Sequence, residues 1–256
     1  VKERAFLEGQ VALITGSTGE GMGRACALTL ADDGADVVLN YGTGRPGNAD
    51  AAEELASVIE KRTDRRPLIV PADTAAPEQA RRLVSETVRH FGRLDILVLA
   101  SGGQWKVAEL PEVEPDHLTK VLNAEIGGAF FVVGAALKVM REKRSGRIII
   151  FGSEDTRSWV GVDDAYMTAK RARAELSVHL SRREWKHGIN VNLIKPGPIE
   201  HDSDLVASVS HLTPEVFGTR ERTLPQDAAE VVRFLCGPGG RFITGAVIPI
   251  KGERYD

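Results

Sequence analysis

Seven short runs rich in β-branched residues punctuate the chain: VALIT (11–15), ADVVLN (35–40), RPLIVPA (66–72), LDILVLA (94–100), RIIIFG (147–152), INVNLI (189–194) and AVIPI (246–250). Between them lie longer stretches with apolar residues at helical spacing, such as Leu55, Val58 and Ile59, or Leu83, Val84, Val88 and Phe91. A chain that alternates in this way can hardly build anything but βαβ units, because each strand must find its parallel neighbour through a crossover helix. The expectation is a doubly wound α/β fold of Rossmann type, about seven parallel strands with helices on both faces. No Pro/Gly/Ser-rich linker, internal repeat or low-complexity segment divides the sequence, so residues 1–256 read as one domain. Segment 199–224, with Pro198, Pro214, Gly218 and Pro225 around it, breaks the alternation and is expected to form a substrate lid.

Composition narrows the function classes. The chain has 256 residues, 42% of them hydrophobic, ample for a core. A net charge of -3, with Lys and Arg scattered, leaves no basic stripe for nucleic acid and no cluster beside a membrane. The first residues, VKERAFLEGQ, lack the apolar core of a signal peptide, and no run approaches the roughly 18 apolar residues of a spanning helix. A cytoplasmic protein with neither nucleic-acid nor membrane partners is expected. Cys26 and Cys236 stand far apart in helical patterns, which favours buried thiols over a disulfide or a thiolate metal site.

Two clusters carry chemistry. VALITGSTGEGMGRACALTLA is a buried strand, a glycine-rich turn and a helix whose Ala25, Ala27 and Leu28 face inward. That order aims backbone N–H groups and a helix N-terminus at an anion, usually a pyrophosphate. In DDAYMTAKRARAELSVHL, Tyr166 and Lys170 project from one helix face a turn apart. An ammonium beside a phenol favours the phenolate, so Lys170 is expected to lower the Tyr166 pKa. Ser153, at the end of the fifth strand, can hold a substrate oxygen beside the phenol.

With these motifs in this order, the sequence resembles the short-chain dehydrogenase/reductase family from about Leu7 to Gly252. The family pattern T-G-x-x-x-G-x-G corresponds to Thr15-Gly16-Ser17-Thr18-Gly19-Glu20-Gly21-Met22-Gly23, one residue longer than usual. The resemblance implies hydride transfer between a nicotinamide and a carbonyl or secondary alcohol carbon of a small-molecule substrate. Tyr166 would be the acid/base, Lys170 would tune it and grip the ribose, and Ser153 would orient the substrate oxygen. The cofactor would lie against Gly16, Ser17, Gly19, Gly21 and Met22, against Tyr41 and Arg45, and against Asp73 and Thr74. It would continue along Ala100, Ser101 and Gly102, past Tyr166 and Lys170, to Pro196, Gly197 and Ile199. NAD enzymes place an acidic residue at the end of the second strand to bind the ribose 2′-hydroxyl. Here Asn40 and Tyr41 stand there, with Gly42, Thr43 and Arg45 beyond, so NADP is expected over NAD, although Glu20 occupies a loop position where many NADP enzymes carry a basic residue. The family assembles through helices that here contain residues 114–141 and 164–187 and through its last strand, which implies a homotetramer or at least a homodimer.

Four departures from the family pattern stand out. The N-N-A-G after the fourth strand is Leu99-Ala100-Ser101-Gly102, which should forfeit the side-chain bonds that brace the central strands. Glu125 in VLNAEIGGAFFV occupies the place of the fourth catalytic residue, an asparagine, with Asn123 a bystander two positions earlier. His201 stands where a Thr often follows the P-G motif. The glycine loop is lengthened, and Gly19 is expected to absorb the extra residue at positive φ. A carboxylate beside an apolar helix needs a partner; an ion pair with Lys170 or a place in a proton relay answers that need, against direct substrate contact or a solvated position. Trp105 and Trp159 are expected to wall the substrate mouth, and Glu154 and Asp155 to make it acidic or to lie solvated. His201, Asp202, Asp204 and His211 lack the spacing of a metal site, so no metal is expected. The competing readings are a catalytically weak nucleotide-binding sensor or scaffold, a nucleotide-sugar epimerase or dehydratase, and an enoyl reductase. The intact Ser153, Tyr166 and Lys170 argue against the first. The missing C-terminal substrate domain argues against the second, and the short Tyr–Lys gap against the third.

Overall fold

A computed structural model describes residues 5–103, 106, 108–154, 163–197, 199 and 223–250. The strands are β1 (Val11–Thr15), β2 (Asp36–Tyr41), β3 (Leu68–Pro71), β4 (Ile96–Leu99), β5 (Gly146–Phe151), β6 (Ile189–Pro196) and β7 (Val247–Ile250). All pair in parallel, in the order β3-β2-β1-β4-β5-β6-β7. The expected doubly wound sheet is therefore present. Its order reverses at β1, so the crevice beyond the carboxyl ends of β1 and β4 is where a ligand finds loops diverging to either side.

The helices are α1 (Met22–Asp32), α2 (Asn48–Thr63), α3 (Pro77–Phe91), α4 (Pro115–Leu122), α5 (Gly128–Lys143), α6 (Asp164–Glu184) and α7 (Pro225–Cys236). Strand side chains alternate between two cores, as the period of two requires. Ala12, Ile14, Ile96, Val98, Ile149 and Phe151 pack with α1, α2 and α7. Val11, Leu13, Leu97, Leu99, Ile148 and Ile150 pack with α3, α5 and α6. Both cysteines are free and buried in the first of these cores, where burial pushes the Cys26 thiol far up and the Cys236 thiol up to about 12.

One sequence expectation changes here. No separate run looked long enough to span a membrane, yet α4 and α5 join through a π-helical turn, Asn123–Gly127, into a continuous helix of 29 residues, Pro115–Lys143, which length and composition would allow to cross one. Much of its apolar surface is already used: Ala129, Val132, Val133, Ala136, Leu137 and Met140 are buried against the sheet.

The C-terminal end of α6 is tied to α5 by Glu184. Its side chain is fully buried and receives two bonds from Arg141, at 2.7 and 2.6 Å, and one from Arg183 at 2.8 Å. The Arg141 bonds, outweighing the cost of burial, push the carboxyl down to about 2. A carboxylate whose folded pKa is depressed contributes stability above its unfolded pKa and loses it as pH falls through the folded value. That shift alone corresponds to roughly 3 kcal/mol. The two arginines are 40% and 49% exposed, however, so solvent screening reduces the contribution to about 1 kcal/mol. Glu184→Gln should therefore lower the melting temperature by about 2–4 °C at pH 7. Denaturant midpoints at descending pH test the origin of the loss, since the gap between wild type and variant should narrow from about pH 4.5 downward.

Candidate active site

The glycine turn follows from close packing at two glycines. Gly16 leaves β1 at φ +63, and a Cβ there would sit 2.8 Å from Ser101 Cα. A Cβ on Gly23 would overlap the Gly16 carbonyl. Gly19, expected to take the positive φ, does not; it lies in open space, where nothing forces the backbone, and Gly16 takes the left-handed conformation instead. Ser17 Oγ is bonded to the backbone of Asn40 on β2, accepting from its N–H at 3.1 Å and donating to its carbonyl at 3.2 Å. Helix α1 starts after Gly21 with no side-chain cap, which leaves its first N–H groups for an anion. This cradle fits the pyrophosphate of a dinucleotide.

Strand β2 ends in Asn40 and Tyr41, so neither of its last two positions carries a carboxylate. Asn40 is buried and donates from Nδ2 to Val70 and Ala72 carbonyls, both at 3.1 Å. Tyr41 is half-buried at the strand end, and Arg45 stands exposed in the following loop. Asp73 is exposed and its carboxylate accepts from Ala75 N–H at 2.9 Å; Thr74 is buried, its hydroxyl 3.3 Å from Ser101 Oγ.

Ala100, Ser101 and Gly102 follow β4, without the side-chain amides of the family's two asparagines. Ser101 N–H donates to Thr15 Oγ1 at 3.1 Å, Thr74 approaches its hydroxyl, and its carbonyl accepts from Arg173 Nη2 at 2.9 Å. These bonds tie the chain beyond β4 to β1, to Thr74 and to α6.

The π turn is what carries Glu125 inside. One extra residue in the turn rotates the chain between α4 and α5, and the Glu125 side chain becomes wholly buried. Its Oε1 accepts from Gly103 N–H at 2.7 Å. Its Oε2 lies 3.1 Å from Lys170 Nζ and 3.0 Å from Arg173 Nη2. The solvated alternative is thereby excluded, and Asn123 is exposed, as a bystander should be.

Lys170 is buried, its ammonium 5.1 Å from the Tyr166 ring centre. Burial, reinforced by the Arg173 charge and opposed by Glu125, pushes it down to about 8. Tyr166 moves the other way from the expectation: burial above all, and then the Glu125 carboxylate, push its hydroxyl well above the usual phenol range. Arg173 works against this rise without outweighing desolvation of the phenolate, and Asp163 adds to it.

Helix α6 is started by Asp163, which is fully buried and accepts from Ala165 N–H at 3.0 Å and Tyr166 N–H at 3.2 Å. His117 Nε2 contacts the same carboxylate at 2.5 Å. Ser153 is half-buried just beyond β5, between Gly152, whose N–H donates to Ile194 O at 2.8 Å, and Glu154, whose N–H donates to Pro196 O at 2.9 Å. Glu154 itself is buried with Oε2 3.2 Å from Lys195 Nζ. Gly197 N–H donates to Ile250 O at 2.8 Å, and Ile199 bridges to Thr223.

Tyr166, Lys170 and Glu125 thus meet, while Ser153, Pro196 and Gly197 stand at neighbouring strand ends. Sequence reading missed Arg173 and the Asp163–His117 pair. Arg173 was open to discovery, because it lies three residues after Lys170 and seven after Tyr166 on one helix face; Asp163 is a capping residue at the usual place. Nothing local marks His117. Trp105, Asp155, Trp159, Pro198, His201, Asp202, Asp204, His211 and all but residues 199, 223 and 224 of the expected lid lie outside the described residues. Among the described residues no three His, Cys, Asp or Glu side chains gather as a metal site.

Comparison with known proteins agrees with this fold. A family model described as enoyl-(acyl carrier protein) reductase matches residues 16–252. Versicolorin reductase 1 of Aspergillus parasiticus is 33% identical, with 97% of each chain covered. A probable tetrahydroxynaphthalene reductase of Zymoseptoria tritici is 31% identical over 96% of this chain and 94% of its own. Among solved structures, a short-chain dehydrogenase from Burkholderia cenocepacia in complex with NADP superimposes with a TM-score of 0.81 at 29% identity, covering 97% of this chain and 98% of that one. The chain belongs to the short-chain dehydrogenase/reductase family and is an NAD(P)-dependent oxidoreductase.

Proposed function

We propose that the chain is an NADP(H)-dependent carbonyl reductase in which Tyr166 gives its proton to the substrate oxygen. The observation that carries this reading is the meeting of Tyr166 and Lys170 on the buried face of α6, with Ser153 at the adjacent strand end. The bound nicotinamide supplies the hydride. Ser153 holds the carbonyl oxygen, Tyr166 protonates it, and the Lys170 ammonium steadies the phenolate left behind and would hold the ribose of the bound cofactor. Glu125 keeps Lys170 in place as its carboxylate partner. A phenol whose pKa is raised stays protonated at neutral pH, so Tyr166 holds the proton that reduction requires, while alcohol oxidation would need the costlier phenolate. Double-bond reduction fits less well, because Tyr166 and Lys170 stand a single turn apart.

NADP is favoured because Tyr41 ends β2 where an acidic residue would repel a phosphate, because Arg45 follows in the exposed loop, and because the Burkholderia relative holds NADP. A cytoplasmic setting is supported by two buried free thiols. Assembly with a second copy of the chain is supported by the groove between α3 and α5, lined by Val84, Val88, Phe130, Phe131, Ala135 and Val139. Phe130 and Phe131 remain 56% and 36% exposed there, and an exposed apolar face of this kind suits burial against a second copy.

Four measurements test the reading. Tyr166→Phe should retain NADP(H) affinity and lose about 10²–10⁴-fold in turnover on a ketone panel that includes tetrahydroxynaphthalene and versicolorin; wild-type turnover would remove Tyr166 from the chemistry. Reduction should hold steady through neutral pH and decline above pH 8, where Lys170 loses its charge. Calorimetric titration should show NADP⁺ binding at least about tenfold more tightly than NAD⁺, a preference that Arg45→Ala erodes; tighter NAD⁺ binding would reverse the assignment. Light scattering at micromolar concentration should give a dimer or tetramer, and a monomer mass would end the assembly proposal.

A further inference from the structure

Arg173 is fully buried, yet it reaches three backbone segments that meet at the active site. Its Nε donates to Glu125 O at 2.8 Å in the π turn. Nη1 donates to Phe151 O at 3.2 Å at the end of β5, and Nη2 to Ser101 O at 2.9 Å just after β4. The planar fork of a guanidinium can address three carbonyls at fixed angles, which an ammonium on a flexible stem cannot. Each of those segments carries a neighbour with a proposed role: Ser153 lies two residues after Phe151, Ser101 flanks the cofactor cradle, and Glu125 contacts Lys170.

Charge makes the second half of the case. If Glu125 faced Lys170 alone, carboxylate and ammonium would cancel, and no net positive charge would remain beside Tyr166. Arg173 Nη2 lies 3.0 Å from Glu125 Oε2, so the buried set holds two cations and one anion. One positive charge is left over. Among the described residues, Asp163, fully buried at the start of α6, opposes that surplus at Tyr166, and its carboxylate is itself in contact with His117 on α4.

We infer that Arg173 is the positioning residue of this active site: it fixes the ends of β4, β5 and the π turn relative to one another, and it supplies the countercharge that lets Glu125 hold Lys170 without cancelling it. The inference rests on the roles proposed above for Tyr166 and Lys170. Glu125 and Arg173 then form a matched pair, in which removing either charge does more harm than removing both.

The test is a double-mutant cycle of Arg173→Met and Glu125→Gln, read as the pH dependence of turnover in both directions. A positive field lowers the pKa of phenol and ammonium alike. Arg173→Met should therefore displace the alkaline limb to higher pH, by about one unit or more, and reduce turnover about 10–100-fold at pH 8. Glu125→Gln should displace the limb to lower pH, and the double variant should return it near the wild-type position and recover at least about tenfold of the turnover lost in Arg173→Met. Limbs that stay in place in both single variants, or effects that simply add in the double variant, would overturn the inference. Should Arg173→Met fail to fold, Arg173→Lys separates the two roles. It keeps the charge and should hold the limb while lowering turnover and melting temperature, and a Glu125→Gln limb that does not move would then decide against the pairing. Tyr166→Phe, assayed alongside, distinguishes the two levels of failure: an active Tyr166→Phe enzyme defeats the proposed function, whereas an inactive one with an unshifted Arg173→Met profile defeats only the role of Arg173.

Discussion

A guanidinium withdrawn wholly from water is costly unless each of its faces finds a partner. In this protein the buried Arg173 finds three carbonyls and a carboxylate, and much else depends on that one solution. The carbonyls belong to Phe151 at the end of β5, to Ser101 just beyond β4 and to Glu125 within the π turn. With Arg173 in place, the two central strand ends and the helix that follows β4 are held together at the point where the sheet order opens a crevice. Glu125 can then be buried, since its oxygens are met by Gly103 N–H, Lys170 and Arg173.

The same arrangement sets the electrostatics. Lys170 is pushed down to about 8 mainly by burial, and the Tyr166 phenol is pushed up by burial and by Glu125. Both directions follow from desolvating the charged form. A site of this sort keeps its phenol protonated at neutral pH. The start of α6 is fixed independently: Asp163 caps the helix three residues before Tyr166 and is itself held by His117. At the far end Glu184 anchors α6 to α5. The helix that bears both Tyr166 and Lys170 is thus secured at both ends and along its buried face.

Much of this was legible in the residues. The strand runs and helical stretches determined the parallel sheet, because β-branched alternation and crossover lengths admit little else. The glycine turn, Ser153, Tyr166 and Lys170 were recognisable by type, order and spacing, and Glu125 by the oddity of a carboxylate entering an apolar helix. What the sequence could not settle was how charges resolve once buried. Lys170 was expected to lower the Tyr166 pKa, and the extra loop residue was expected to put Gly19 at positive φ; the structure reverses the first and moves the second to Gly16. Arg173 reads in the chain as one more basic residue of a helix. Only the tertiary structure brings Ser101, Glu125 and Phe151 to it from 72, 48 and 22 residues away, and desolvation at that meeting point, which no local pattern encodes, decides which groups stay charged.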